Sequence, residues 1–300
     1  MSKNYLSSRE AAFLNNSNPS NQNIQIGDKL RLALNGTIGF KEDERYYVNG
    51  ITGYDSNDGK SWETAFKTIQ HACNIARYRP GTTTIDTTKD RDKYIFIAPG
   101  QYNEQILFSG YNIHLIGLGP RSNGDYGVVV NYDDAIASPA VIGFTGAGLE
   151  ISNICFQTTK AIPIILLGNG GTPADGAWIH DCWFKGDNSK TCTIGISAEI
   201  KNSVIEDCII NGCITGINFA AGVWFNNSIL RRIKITNVTN ILNVDATAVC
   251  TESEISNISG VGSSTGIVNA SSTDILIYGN HTKPALSDGG STAGDNTTLA

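Results

Sequence analysis

The chain has 300 residues, with 22 basic and 28 acidic side chains, a formal net charge of −6, 40% hydrophobic residues and only 17% charged ones. That length buries a sizeable core, and the acidic balance argues against a general nucleic-acid binder, which needs clustered positive charge. The longest apolar run, 161–167, is interrupted by Pro163 and falls far short of the ~20 residues of a membrane-spanning helix, so no membrane partner is expected.

In chain order, the first residues are polar and lack an apolar signal-peptide region, so no secretory signal is expected. The tract Asn15 to Asn23 is too polar to fold by itself. Residues 24–40 then alternate apolar and polar around an Asn35-Gly36 turn. Residues 1–45 therefore read as an arm or anchor, with Ile24, Ile26, Leu30, Leu32 and Leu34 as its partner-docking side chains. Tyr46-Tyr47-Val48 is a short strand, and 53–59 is a turn-rich loop. Ser61 is a plausible helix N-cap. Phe66, Ile69, Ala72, Cys73 and Ala76 recur at helical spacing, predicting a helix near 64–77 that stops before Pro80-Gly81. Residues 94–98 form a buried strand ended by Pro99-Gly100.

Beyond this point the chain repeats itself. Segments beginning at Ile151, Ile179, Ile205, Leu230 and Ile255 share the pattern apolar, two polar, apolar, and are spaced 28, 26, 25 and 25 residues apart (179−151, 205−179, 230−205, 255−230). A period in the range 20–50 signals a solenoid, and β-branched residues with Gly and Asn turns make it a β-solenoid. One repeat is one coil, and like residues stack about 4.8 Å apart. Cys182 and Cys208 then fall in one inward stack with Ile154, Ile233 and Ile258. The seven cysteines lack metal spacing and read as reduced, buried thiols. From His281 onward the chain is rich in Gly, Ser, Thr, Asp and Asn and reads as a polar tail, 281–300.

The stretch 47–59, Trp62, 65–70, and the segment Ile95-Phe96-Ile97-Ala98-Pro99-Gly100-Gln101-Tyr102 resemble the opening of right-handed parallel β-helix proteins of the pectin-lyase-like superfamily, of the kind also found in phage virion proteins. The resemblance implies an all-β parallel β-helix over 46–280, with a short α-helix capping its N-terminal end. The superfamily includes lyases, hydrolases, tailspikes and non-catalytic virion proteins, so fold does not fix function.

The two-polar corners are the best place for chemistry. They read Ser152-Asn153, His180-Asp181, Glu206-Asp207, Arg231-Arg232 and Ser256-Asn257, and in register they form one outward column. Asp181, Glu206, Asp207 and Arg231 could serve as acid and base, or hold calcium and a sugar acid. The plainer reading is a salt-bridge ladder, worth about 0–1 kcal/mol per exposed pair. Asp55, Asn57 and Asp58 suggest a calcium loop, against a reading as turn and helix lead-in. Tyr102 and Glu104 follow a strand end, and Trp178, Trp183 and Trp224 are candidate sugar-stacking rings.

Two functions follow. The first is a non-enzymatic structural protein of a phage virion, decorating a capsid or associated with a tail. It attaches through the 1–45 arm, has other virion proteins as partners, needs no cofactor, and is made in the host cytoplasm. The three-fold habit of phage spikes makes a homotrimer the expected oligomer. The alternative is a polysaccharide-degrading lyase or glycosidase, or a glycan-binding tailspike module. That alternative uses Asp181, Glu206, Asp207 and Arg231, with Ca²⁺ as cofactor in the lyase case.

Overall fold

The computed structural model describes residues 44–79, 81–87, 91–119, 127–133, 139–267, 275–284, 286–287, 292–293 and 297–298. The chain divides into two units, Met1–Glu44 and Arg45–Ala300. The docking residues assigned to the arm, Ile24, Ile26, Leu30, Leu32 and Leu34, lie outside the described residues.

The second unit is a parallel β-solenoid whose strands stack in four columns, here A to D. Column A runs from Arg45–Val48 through Lys93–Ile97, the second halves of Ile106–Gly117 and Ile142–Ser152, then Trp178–His180, Val204–Glu206, Ile229–Arg231, Ser253–Ser256, Ile275–Tyr278 and Thr292–Ala293. Its register places Tyr46, Ile95, Leu115, Ile151, Ile179, Ile205, Leu230, Ile255 and Ile277 one above the next, all buried. β-branched and Leu side chains fill such a ladder because each packs on the same shape in the coil above and below.

After column A the chain turns on a residue in the left-handed region: Asn153, Asp181, Asp207, Arg232, Asn257 and Gly279, with φ between 52° and 62°. Asn, Asp and Gly adopt this conformation with the least strain, which explains five of these six corners. The next residue points inward, and Ile154, Cys182, Cys208, Ile233 and Ile258 form the expected buried stack. Asn280 takes the next place in that stack: its side-chain carbonyl accepts from Ile258 N at 2.7 Å and its amide donates to Ile255 O at 3.2 Å.

Column B follows, with an inward ladder of Tyr102, Val130, Phe156, Phe184, Ile210 and Ile235. Column C stacks Ile165, Ile196, Ile217 and Leu242. Column D stacks Ala174, Ile200, Phe225 and Cys250. A buried serine ladder closes the corner between D and A. Ala177 N donates to Ser203 Oγ (2.9 Å), Ser203 N to Ser228 Oγ (3.1 Å) and Ser228 N to Ser253 Oγ (3.2 Å). Each hydroxyl donates in turn to a carbonyl two residues earlier in its own coil. Corner amides that face the interior are thereby satisfied without water.

The sole α-helix among the described residues, α1, spans Ile69–Ala76, shorter than the 64–77 expected from spacing. Its N-cap is Thr68, not Ser61; Ser61 Oγ instead accepts from Thr64 N at 3.2 Å in the preceding turn. Phe66, which the spacing assigns to the helix, bridges instead to Val48 and belongs to the sheet's first rung. Glu104 accepts from Ile69 N and Gln70 N at 2.9 and 2.8 Å, placing a carboxylate at the positive end of the helix. Ile69, Ala72, Cys73 and Ala76 are buried. The Gln70 amide meets Leu107 in a two-way bond (2.6 and 3.0 Å), imitating one strand pairing at the exposed sheet edge. At the other end, the polar tail carries strands that continue the pairing: His281–Lys283 lies on Ser259–Val261, and Thr297–Thr298 lies on His281–Thr282.

Candidate functional site

The outward face of column A carries two rows of side chains. One row reads Tyr94, His114, Glu150, Trp178, Val204, Ile229, Glu254 and Leu276, from coil to coil. The other reads Phe96, Ile116, Ser152, His180, Glu206, Arg231, Ser256 and Tyr278. Alternation along each strand sends these residues out while Ile179, Ile205 and Leu230 go in.

Two charged clusters meet on this face. In the first, Glu150 is held between two imidazoles, with Oε2 2.6 Å from His114 Nδ1 and Oε1 3.3 Å from His180 Nε2. His114 Nε2 lies 3.3 Å from Asp92, and His180 Nδ1 lies 2.9 Å from Asp181. The hydrogen bonds from His114 and then His180 hold the Glu150 carboxyl down at about 2. The same carboxylate, joined by Asp181, raises the pKa of His180.

In the second cluster, both oxygens of Glu206 are engaged. Trp178 Nε1 donates to Oε1 at 2.9 Å, and Arg231 Nε donates to Oε2 at 2.7 Å with Arg232 beside it. Arg232 also holds both oxygens of Asp207, at 2.8 and 2.7 Å. Burial works against the charged form of Glu206, whose side chain is only 10% exposed, but the bonds from Trp178, Arg231 and Arg232 outweigh it and keep its pKa below the usual range. Asp207, and then Glu206, push the Arg232 pKa up.

Trp178 joins the clusters. Its ring stacks on His180 with centroids 4.1 Å apart while its N–H is anchored on Glu206, yet it remains 45% exposed. Aromatic contacts continue toward the capped end. His114 stacks on Tyr94 at 4.5 Å, Tyr94 on Phe96 at 6.3 Å, Phe96 meets Tyr47 at 5.7 Å and Tyr47 meets Trp62 at 4.7 Å. The face is thus a line of rings along the solenoid, braced by fixed charges.

Asp181, Glu206, Asp207 and Arg231 do come to one face, but in different roles. Glu206 and Arg231 sit on strands, whereas Asp181 and Asp207 occupy the left-handed corner and are 41% and 43% exposed. Asp55 accepts from Lys67 N, Thr68 N and Thr68 Oγ1, all at 2.9 Å, Asp58 accepts from Lys60 N and Thr64 Oγ1, and Asn57 donates to Ala65 O. These three residues therefore brace the turn before α1. Among the described residues no group of three or more His, Cys, Asp or Glu is placed to hold a metal ion.

Tyr102 is an internal strut whose hydroxyl donates to Ala98 O at 2.8 Å and accepts from Gly50 N; burial pushes its pKa up to about 12. Burial also raises the pKa of Glu104, the acceptor at the start of α1. Trp183 lies on column B with Lys185 over its ring, and Trp224 is exposed on column D beside Val249. Sequence reasoning missed Asp92, His114 and Glu150. Glu150 precedes Ile151 as Trp178 precedes Ile179, so the repeat read one position earlier would have flagged it.

No family model matches the chain, and no curated protein matches it by sequence. Among solved structures it is similar to the pectin methylesterase from Aspergillus niger in penultimately deglycosylated form, at 15% identity with a TM-score of 0.52 over 85% of this chain and 86% of that one. The deglycosylated form of the same protein gives 15% identity and a TM-score of 0.50 over 86% and 81%. At that identity the likeness concerns the backbone alone. Together with the four in-register columns and the helical cap, it gives the second unit the fold of a right-handed parallel β-helix.

Proposed function

We propose that the protein recognises a polysaccharide on the outward face of column A, as a binding module rather than a hydrolase. The observation that carries this reading is Trp178, an exposed ring immobilised on one side by His180 and at its N–H by Glu206. A ring already fixed in position loses little entropy when a sugar stacks on it, and the neighbouring charged groups offer hydrogen bonds in fixed directions. Glu150 and Glu206, which bind the groups that fix the ring, are held below the usual carboxylate range by those bonds. Glycoside hydrolysis by the two-carboxylate route needs one acid that stays protonated. The solved neighbours are pectin methylesterases, and a polysaccharide ligand is taken to this chain on the strength of the face.

Affinity electrophoresis and calorimetry against a panel of neutral and acidic polysaccharides test the reading. Trp178→Ala is expected to weaken binding about tenfold, the scale of one lost aromatic contact, with the β-sheet circular-dichroism spectrum of the folded protein retained. If no polysaccharide is retained, or the variant binds as wild type, the reading fails. Release of new reducing ends or unsaturated sugars would replace binding by catalysis.

A second reading makes the same module a structural part of a phage particle. It is favoured by the pairing of Glu150, Glu206 and Asp207, which gives this face the character of a rigid, register-setting ladder. Electron microscopy of particles carrying the chain decides it, by locating the module on a capsid or tail.

A further inference from the structure

We propose that Cys192 and Cys213 form a redox-closable staple between two neighbouring coils. Cys192 opens the strand Cys192–Ala198 and Cys213 opens Cys213–Phe219, and the two residues are direct partners in the parallel ladder of column C. Paired strands lie about 4.8 Å apart, within the Cα separation of roughly 4.4–6.8 Å that a disulfide spans. The two sulfurs already face each other at 3.0 Å and both residues are buried. Both side chains therefore point into one space between coils.

The molecule contains its own control. Cys182 and Cys208 also occupy successive coils of one inward stack. Their sulfurs point at main-chain carbonyls two residues back, His180 O at 3.2 Å and Glu206 O at 3.1 Å. Both pairs sit one coil apart and both interact, and it is the Cys192 and Cys213 sulfurs that lie in contact, at 3.0 Å.

The oxidant is a small-molecule disulfide such as oxidised glutathione. The Cys192 thiolate attacks one sulfur of that disulfide, forming a mixed disulfide and releasing one thiol. The Cys213 thiolate then attacks the Cys192 sulfur, closing the protein S–S bond and releasing the second thiol. Two protein S–H bonds are lost, the oxidant's S–S bond is reduced to two thiols, and the electrons balance. The Cys192 sulfur, and then burial, hold the Cys213 thiol protonated well above its ordinary range, so exchange proceeds when the coil edge opens. A sub-denaturing concentration of urea therefore speeds it.

The full chain, first reduced and then exposed to oxidised glutathione with and without mild urea, tests the staple. Denatured thiol counting is expected to fall by two from seven, and peptide mapping to find Cys192 and Cys213 joined with the loss of two hydrogens. The oxidised protein melts a few degrees higher than the reduced one, because a cross-link restricts the unfolded chain. Cys192→Ser and Cys213→Ser each abolish the change, while Cys182→Ser leaves it. Seven thiols persisting in mild urea, a cross-link mapping to Cys182 and Cys208, or a joined pair that melts lower would each overturn the proposal. The mapping is done on wild type, so it stands even where a variant does not fold.

Discussion

The two faces of column A are built on the same strands in the same register, and they differ in kind. Inward, Ile151, Ile179, Ile205, Leu230 and Ile255 repeat one chemistry from coil to coil. Outward, Glu150, Trp178, Val204, Ile229 and Glu254 keep to no single chemistry along the row, and neither do Ser152, His180, Glu206, Arg231 and Ser256. The inner face gains from sameness, because each side chain packs on its own likeness. The outer face is free to vary once the inner face has set the register, and it therefore carries whatever is particular to this protein.

Substitutions on the two faces should separate these roles. Ile205→Ala opens a cavity in the middle of the stack and is expected to cost about 2–5 kcal/mol, read from denaturant unfolding. Glu206→Ala deprives the Trp178 N–H, Arg231 and Arg232 of a shared acceptor and should cost about 1–3 kcal/mol. A loss as large as that of Ile205→Ala would erase the distinction between the faces. Ser228→Ala, at the corner between columns D and A, leaves the buried Ser203 N–H without its acceptor, for about 1–3 kcal/mol. Protection of that amide in hydrogen exchange should fall with it. Arg232→Ala, on the exposed pair with Asp207, is expected to change stability by about 1 kcal/mol or less.

Acidity probes the ion pairs of the outer face. Glu150 is held at about 2, so its contribution is present above the ordinary carboxylate value of 4.5 and is lost as pH falls toward 2. The pKa of His180 is raised, so its contribution is complete below the ordinary imidazole value of 6.5 and is lost as pH rises through the raised value. From these two groups, melting temperature should peak between about 4.5 and 6.5. His180→Gln should flatten the alkaline limb while leaving Ile205→Ala just as damaging.

The inner face was legible in the sequence from Ile151 onward, where a nearly constant period exposes it. The inward stack of Cys182 and Cys208 with Ile154, Ile233 and Ile258 needed no other information. The earlier coils were not legible as repeats, because Ile95, Leu115 and Ile151 are separated by 20 and then 36 residues (115−95, 151−115). That irregularity hid His114 and Glu150, which reach the site only through the long strands Ile106–Gly117 and Ile142–Ser152. Asp181, Glu206, Asp207 and Arg231 could be read to a common side from the repeat, but not which oxygen each cation takes. The N-cap was misplaced for a similar reason. Ser61 has the right chemistry and its Oγ does accept from Thr64 N, but pairing of Phe66 with Val48 ends that turn before a helix starts.

The serine ladder at the corner between columns D and A has a consequence for how such a chain changes over generations. Ser203, Ser228 and Ser253 are 25 residues apart, and Ser203 and Ser228 each accept from the coil before and donate to the serine of the coil after. A duplication or deletion that begins and ends at equivalent serines would rejoin every column in phase, with no amide stranded at the seam. The protein can thus gain or shed length in whole coils, and its outer face can be rewritten one coil at a time.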